Sequence, residues 1–401
     1  MKVLMANKYF YLKGGAENSF FETANLLKKK GHQVSFFSMK GERNLPSEYE
    51  EYFIPEVRYE SGAFSNRIAA AGRMLYSFSA RRNIEKLMRK EKPDIAHLNN
   101  IYHQISPSIL HSLKKFKVPV VMTLRDYKVV CASYSMVAGG KICEACKDGK
   151  YYQTFLKACV KDSRLKSLLN TLEMYLHHHV LNLYGLVDVF ISPSAFLKQK
   201  VVEMGFRGRV VHLPNFTTLD DYEPVYEYEP SVIYFGRISK EKGIATLIEG
   251  VRGTPVQLKI VGEGPLKETL SRSLKPEDNV KFLGYKTGDD LRNEIKKSMC
   301  VMLPSEWYEN NPRTVLEAFA FGKPAIGSRV GGIPELVRDN ETGLTYEMGN
   351  AADLKEKLLY FIRHPEEVRR MGVNARKMVE NELNREVHYK KLMEVYKSVM
   401  S

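Results

Sequence analysis

Short apolar runs alternate with amphipathic stretches along the first half of the chain. Residues 3–6 read as a strand, followed after a short loop by the glycine turn Gly14-Gly15. From Ala16 to Lys30, Phe20, Phe21, Ala24 and Leu27 recur at helical spacing, and Gly31 suits the C-terminal cap. Further strand signals fall at 34–37, 95–98, 118–124 and 187–191, with helical patterns between them. Such alternation predicts a parallel sheet with right-handed crossovers. A second series begins after Leu213-Pro214-Asn215, with strands at 232–235, 256–261, 280–283, 301–303 and 325–326. The polar, Tyr- and Glu-rich residues 217–230 between the two series read as a linker. At the end of the chain, Tyr389, Leu392, Val395 and Val399 share one face of a helix over 386–400, which must dock somewhere. The pattern therefore predicts two doubly wound α/β domains, 1–215 and 216–383, and a terminal helix, 384–401. No short-period repeat interrupts it.

At 401 residues the chain exceeds a typical single domain. No apolar stretch is long enough to span a bilayer. Met1-Lys2-Val3-Leu4-Met5 opens directly as a strand and lacks the features of a signal peptide. A cytoplasmic protein, peripheral at the inner face of the membrane, is the expectation. Charge adds a detail that the pattern hides. Residues 1–215 carry 33 Lys and Arg against 18 Asp and Glu, a net +15, whereas 216–401 carry 28 against 29, a net −1. This asymmetry points to an anionic partner for the first half, either a membrane surface or an acidic polymer. Nucleic acid is set aside, because no arginine-rich tail, helix-turn-helix or aromatic platform accompanies the charge. Within 64–90, apolar Phe64, Ile68, Met74, Leu75, Tyr76, Phe78, Ile84 and Leu87 alternate with seven cations. This segment reads either as ordinary helices with a solvated basic face or as a membrane-surface contact.

Three strand ends carry candidate chemistry. In Phe235-Gly236-Arg237-Ile238-Ser239-Lys240-Glu241-Lys242-Gly243, a strand gives way to a loop bearing Arg237 and Lys242 before a helix starts near Gly243. Ligands of open α/β sheets bind at such ends. An arginine fork and a lysine point charge suit a diphosphate and can stabilise its departure. The stretch 304–318 places Glu309 in a loop and Glu317 in the second turn of a helix that Asn311 would cap and Pro312 would open. Glu317 stands among Val315, Leu316, Ala318 and Phe319, where a carboxylate is costly without partners such as ribose hydroxyls. Val261-Gly262-Glu263-Gly264-Pro265 is a third strand end, whose glycines would let a ligand approach the backbone.

This ordered set resembles glycosyltransferase family 4, retaining enzymes of GT-B fold. The resemblance runs through Gly14-Gly15-Ala16-Glu17, Gly31-His32-Gln33-Val34, Asn215, Gly236-Arg237, Lys242-Gly243, Gly262-Glu263-Gly264-Pro265, Leu283-Gly284 and Pro304-Ser305. It continues through Glu309 and Glu317 eight positions apart, then Gly322-Lys323-Pro324 and Gly331-Gly332-Ile333-Pro334-Glu335. It implies two Rossmann-like domains facing across a cleft, with the C-terminal helix crossing back to the first. Arg237 and Lys242 would then bind the diphosphate of a nucleotide-sugar donor, and Glu317 its ribose. Glu309, with the amides of Asn310 and Asn311, would contact the donor sugar, and Gly15, Gly236, Gly262 and Gly264 would line the donor. A glycan or lipid-linked acceptor, front-face displacement with retention and no catalytic metal are also implied. No Asp-x-Asp motif stands at a strand end; Asp220-Asp221 lies in the linker and Asp289-Asp290 opens a polar helix.

One departure from the family pattern falls after residues 118–124. Much of the family has a donor-contacting His there, and this chain has Arg125 followed by Asp126. Either residue would take over the sugar contact, or the donor sugar differs. His97 and His103, read as lying in the loop after 95–98, are candidates for the acceptor side. Four of the five cysteines, Cys131, Cys143, Cys146 and Cys159, fall in an insertion over about 131–160; a structural zinc, free thiols and an iron–sulfur cluster are the alternatives. Rival readings are an epimerase or phosphorylase of the same fold and a non-enzymatic membrane or scaffold module. An oxidoreductase would need a Gly-x-Gly-x-x-Gly opening that Gly14-Gly15 does not supply.

Overall fold

The structure is a computed structural model that describes residues 1–56 and 64–400, with the backbone alone for 64–69. Contacts divide the chain into two compact units, Met1–Leu213 with Tyr389–Ser401, and Pro214–His388.

The strands of the first unit are β1 (Lys2–Ala6), β2 (Gln33–Phe37), β3 (Ile95–Asn99), β4 (Val120–Thr123), β5 (Val137–Ala138), β6 (Lys141–Ile142), β7 (Val189–Ser192) and β8 (Val210–His212). Six of them form a sheet in the order β2-β1-β3-β4-β7-β8, parallel throughout. Every residue of β3, β4 and β7 is buried. Burial on both faces explains why these strands read as continuous apolar runs without alternation. The helix Gly15–Lys29 packs Phe20, Ala24 and Leu27 into the core beside Val3, Met5, Phe36 and Ile95, and Gly31 ends it with φ +80°. Strand order reverses between β1 and β3, so the flanking connections diverge there and leave a crevice at the carboxyl ends of those strands.

The terminal helix, Arg385–Met400, sends its last two-thirds into this same core. Leu392 and Tyr396 are fully buried there, and Tyr389, Val395 and Val399 pack at the rim. Tyr396 is buried as completely as Leu392, although it lies outside the expected apolar stripe. Its hydroxyl meets His97 Nδ1 at 2.7 Å, and Tyr389 meets His32 Nε2 at 2.8 Å.

The second unit holds β9 (Ser231–Phe235), β10 (Gln257–Val261), β11 (Val280–Gly284), β12 (Cys300–Leu303), β13 (Ala325–Ser328) and β14 (Gly343–Tyr346). These pair in parallel in the order β11-β10-β9-β12-β13-β14, so the switch point falls between β9 and β12. Cys300 is buried in the core beneath, with Val232, Ile260, Leu247 and Leu358. The expected linker is a strap laid on this unit rather than a free connection. Val225 N–H donates to Phe321 O at 2.9 Å and Glu229 N–H to Lys297 O at 2.8 Å. Buried Lys323 donates to Glu227 O at 2.8 Å, and burial pushes its ammonium down to about 8. Irregular backbone against a core needs such partners, which a pattern of polar residues does not reveal.

The basic window forms two helices, Phe64–Leu75 and Phe78–Glu91. Met74, Ile84 and Leu87 point inward, whereas Arg82, Lys86, Arg89 and Lys90 face solvent. In its described part this is the ordinary arrangement of a domain helix; the side chains of Phe64, Arg67 and Ile68 lie outside the described residues. Among the described residues no helix is long and apolar enough to cross a membrane.

Candidate active site

At the switch point of the second unit, the connections after β9 and β12 bring together residues 67 positions apart. Lys242 Nζ donates to Glu309 Oε1 at 2.5 Å, and Ser305 Oγ and Trp307 Nε1 donate to the same oxygen at 2.6 and 2.8 Å. Burial pushes the Glu309 carboxyl up, but Lys242 and the two further donors outweigh it and hold the group below its ordinary value. The Lys242 ammonium also stands 5.0 Å from the Trp307 ring centre, a cation–π contact. Arg237 is exposed, and its guanidinium has no hydrogen-bond or ion-pair partner among the described residues. The site thus offers one unneutralised fork and one lysine positioned by a carboxylate. Ser305 and Trp307 were missed as Glu309 partners; their signal was proximity, since both lie within four residues of it.

The second helix of the site begins one residue later than its sequence suggests. It spans Arg313–Ala320 with Pro312 at the cap position, and no side chain caps it. Asn311 is buried instead: its carbonyl accepts from Asn215 Nδ2 at 3.1 Å, and its Oδ1 has no hydrogen-bond partner among the described residues. Asn310 and Glu317 are half-buried. Gly262 and Gly264 have a packing role that the sequence did not suggest. A Cβ at Gly262 would lie 1.9 Å from Gly236 O, and one at Gly264 2.2 Å from Ile238 O. These glycines let the loops after β9 and β10 stack backbone on backbone. Gly15 is the exposed first residue of the helix Gly15–Lys29.

In the first unit the switch point gathers Asn7 after β1, Asn99 and Asn100 at the end of β3, and Arg125 and Asp126 after β4. Arg125 Nε donates to Asn99 Oδ1 at 3.1 Å. Asn7 Oδ1, Asn99 Nδ2 and Asn100 Oδ1 are buried without a hydrogen-bond partner among the described residues. Burial raises the Asp126 carboxyl, partly offset by the Lys128 N–H, which donates to it at 2.9 Å. The three asparagines were missed, and asparagine at the end of an apolar run was the available signal.

Both histidine expectations are corrected. His97 lies within β3, not after it, and is buried with Nδ1 on Tyr396 and Nε2 on Thr123 Oγ1 at 2.6 Å. His103 Nδ1 meets Tyr134 OH at 2.7 Å and Nε2 meets Glu173 Oε2 at 2.9 Å. With both ring nitrogens engaged internally, each histidine holds structure. Glu173 also accepts from Lys128 Nζ at 2.6 Å, and both of these side chains are fully buried. Burial would raise the Glu173 carboxyl, yet His103, Lys128 and His177 hold it far below the ordinary range. Burial lowers His103 and His177 and takes His178 to about 3.

The sign of the resulting pH dependence follows. The unfolded chain protonates these histidines near 6.5 and this carboxylate near 4.5, in each case above the folded value. Their stability contribution is complete above about pH 6.5 and is lost as pH falls, first through the histidines and then through Glu173. The melting temperature should therefore fall steadily from pH 7 to pH 4, and His178→Phe should flatten the upper part of that slope. A melting temperature constant across this range would contradict the account.

The cysteine insertion carries the hairpin β5–β6, turned by Gly139 and Gly140 with φ +58° and +76°. Cys131, Cys143, Cys146 and Cys159 line one cavity of about 10 Å³, and none of the four forms a disulfide. Burial raises Cys146 to about 11 and, together with the neighbouring cysteines, Cys159 to about 12. As placed, no three His, Cys, Asp or Glu among the described residues stand in metal-ligating geometry.

The family model described as Glycosyltransferase Family 4 matches residues 13–221, and the model described as Glycosyl transferases group 1 matches residues 216–378. A Klebsiella pneumoniae protein described as an uncharacterized 42.6 kDa protein in the cps region is 27% identical, over 84% of this chain and 88% of its own length. Among solved structures, sucrose-phosphate synthase from Thermosynechococcus elongatus superimposes with a TM-score of 0.73 at 21% identity, covering 99% of this chain and 98% of that one. The Anabaena protein HepE, crystallised with UDP-glucose, does so with a TM-score of 0.64 at 16% identity, covering 99% and 100%. At these identities the structural likenesses speak for a shared fold of two Rossmann-like domains.

Proposed function

The chain belongs to glycosyltransferase family 4, and from that premise we propose a retaining enzyme that uses a nucleoside diphosphate sugar, UDP- or GDP-linked. Its acceptor is a glycan or lipid-linked glycan of surface polysaccharide or glycolipid synthesis. The observation that carries this reading is the switch-point cluster of unneutralised Arg237 and Glu309-held Lys242. Arg237 takes the diphosphate as a fork and Lys242 as a point charge. As the bond from the anomeric carbon to the diphosphate oxygen breaks, the two cations stabilise the charge left behind. The acceptor oxygen bonds to the same face of the sugar, and the leaving diphosphate takes its proton. This needs positioning and charge rather than a strong base or a catalytic metal. At the point of the chain where the family's histidine falls, Arg125 or Asp126 is read as taking over the sugar contact, the alternative being a different donor sugar.

Glu317 receives the ribose hydroxyls. Glu317→Ala should weaken nucleotide diphosphate binding by about 10–100-fold, the range expected when hydrogen bonds to a charged group are lost. Thermal-shift titration with UDP, GDP, ADP and CMP, without divalent metal, reads this directly and names the base. If none of the four shifts the protein, the donor-site reading fails and a non-enzymatic module takes its place.

The four cysteines are read as a structural zinc site. Their support is the shared cavity, which has room for a single atom-sized guest, and the four-thiol donor set. Binding requires the thiols to turn inward and lose their protons, so uptake should be weaker at low pH. Metal analysis of the purified protein should find about one zinc per chain. A metal-free, folded and active protein would rule this out.

A further inference from the structure

The helix Arg164–Tyr175 in the first unit is built inside out. Its buried face carries Ser167, Asn170, Thr171, Glu173 and Met174. Its exposed face carries Leu165, Leu168 and Leu172, which are 77%, 39% and 52% exposed. Positions 165, 168 and 172 fall on one stripe of an α-helix. The short helix Tyr152–Leu156, which packs against it, adds exposed Tyr152 and Leu156. A lone exposed leucine needs no explanation, but a stripe of them beside further exposed apolar residues marks a contact surface. Cations surround it: Lys147, Lys150, Lys157, Lys161, Arg164 and Lys166 are all exposed, against acidic Asp148 and Asp162, a net 6 − 2 = +4 over residues 147–172.

We propose that this face, and not the basic window at 64–90, seats the protein on an anionic lipid surface. The leucines enter the boundary between headgroups and acyl chains while the flanking lysines and Arg164 meet lipid phosphates. Among its described residues the basic window offers less of such an apolar stripe: Met74, Ile84 and Leu87 turn into the core, and Phe78 is its one large apolar side chain left exposed, at 66%. A second copy of this chain is the weaker occupant, since self-association through this face would bring two sets of like charges together. The inference deepens the lipid-linked acceptor reading given above and rests on it for its purpose, though not for its geometry.

Co-sedimentation with phosphatidylcholine vesicles, with and without phosphatidylglycerol, tests it. The full chain should bind the anionic vesicles at low salt and release them at high salt. Leu168→Ser/Leu172→Ser should weaken partition by about 10–100-fold. Lys161→Glu/Arg164→Glu should abolish the preference for anionic lipid, and Arg82→Glu/Lys86→Glu should leave binding intact. Absence of vesicle binding, or loss in the Arg82/Lys86 variant with retention in the leucine variant, overturns the proposal. So does a concentration-dependent dimer that the leucine substitutions dissolve while no vesicle binding is seen. Each variant is also melted with the nucleotide diphosphate that shifts the wild type. A protein that keeps that shift but binds no vesicles loses the docking surface and keeps the transferase reading.

Discussion

Replacing Lys242 with Ala is expected to lower turnover by about 10²–10³-fold, the range found when one preorganised stabiliser of developing charge is removed. Two effects combine. In the proposed role of Lys242 the diphosphate loses a point charge, and Glu309, buried at 8% exposure, loses its only ion-pair partner among the described residues. Ser305 and Trp307 still donate to Glu309 Oε1, so the carboxylate persists in place but its pKa rises toward and above the ordinary value. The variant should therefore gain an acid limb in its pH–rate profile that the wild type shows only at lower pH. Because the interaction strengthens as the diphosphate leaves, kcat should fall more than KM rises. Lys242→Arg should rescue only part of the loss, since a planar fork does not replace a point charge packed beside Trp307. Steady-state kinetics across pH reads all of this, and undiminished turnover in Lys242→Ala would remove Lys242 from the chemistry.

The second large effect concerns folding. Lys128→Met should destabilise the first unit by about 3–5 kcal/mol, because it leaves the fully buried Glu173 carboxylate without its ammonium. Adding Glu173→Gln to that variant removes the stranded charge and should recover part of the loss. Denaturant unfolding followed on the first unit compares the two. A single variant as stable as the wild type would show that His103 and His177 suffice to hold the carboxylate. The pair also anchors the segment between Arg125 and Tyr134, since Lys128 N–H donates to Asp126 and Tyr134 OH meets His103. Loss of the anchor should thus reach Arg125 and Asp126, and the folded fraction of Lys128→Met should show reduced turnover as well as reduced stability.

Much of this molecule was readable from its residues. The long runs of β1, β3, β9 and β10 fall within a residue or two of the positions their apolar patterns indicate, because fully buried parallel strands need continuous apolar sequence. The helix stop at Gly31 was equally legible, since positive φ selects glycine locally. Strand β14 and the strap over 217–230 were not, because short or irregular segments take their hydrogen bonds from neighbours distant in sequence. At the candidate site, Arg237, Lys242 and Glu309 fall at the strand ends their sequence indicates, but the contact of Lys242 with Glu309 was not legible there.

The dividing line is the range of the physical cause. Periodicity, capping and turn chemistry act over a few residues, so the order of elements, the two doubly wound units and the amphipathic terminal helix follow from the string of residues alone. Partner choice acts across the sheet. Lys242 meets Glu309, Lys128 meets Glu173 and His97 meets Tyr396 over 67, 45 and 299 positions, because strand order sets those loops and helices side by side. The same cause inverts the helix Arg164–Tyr175. Its leucine stripe has the period of a core-facing face, yet the buried polar network around Glu173 claims the inner side and turns the leucines outward. No periodicity encodes that outcome, since it depends on which charged groups the fold has already enclosed.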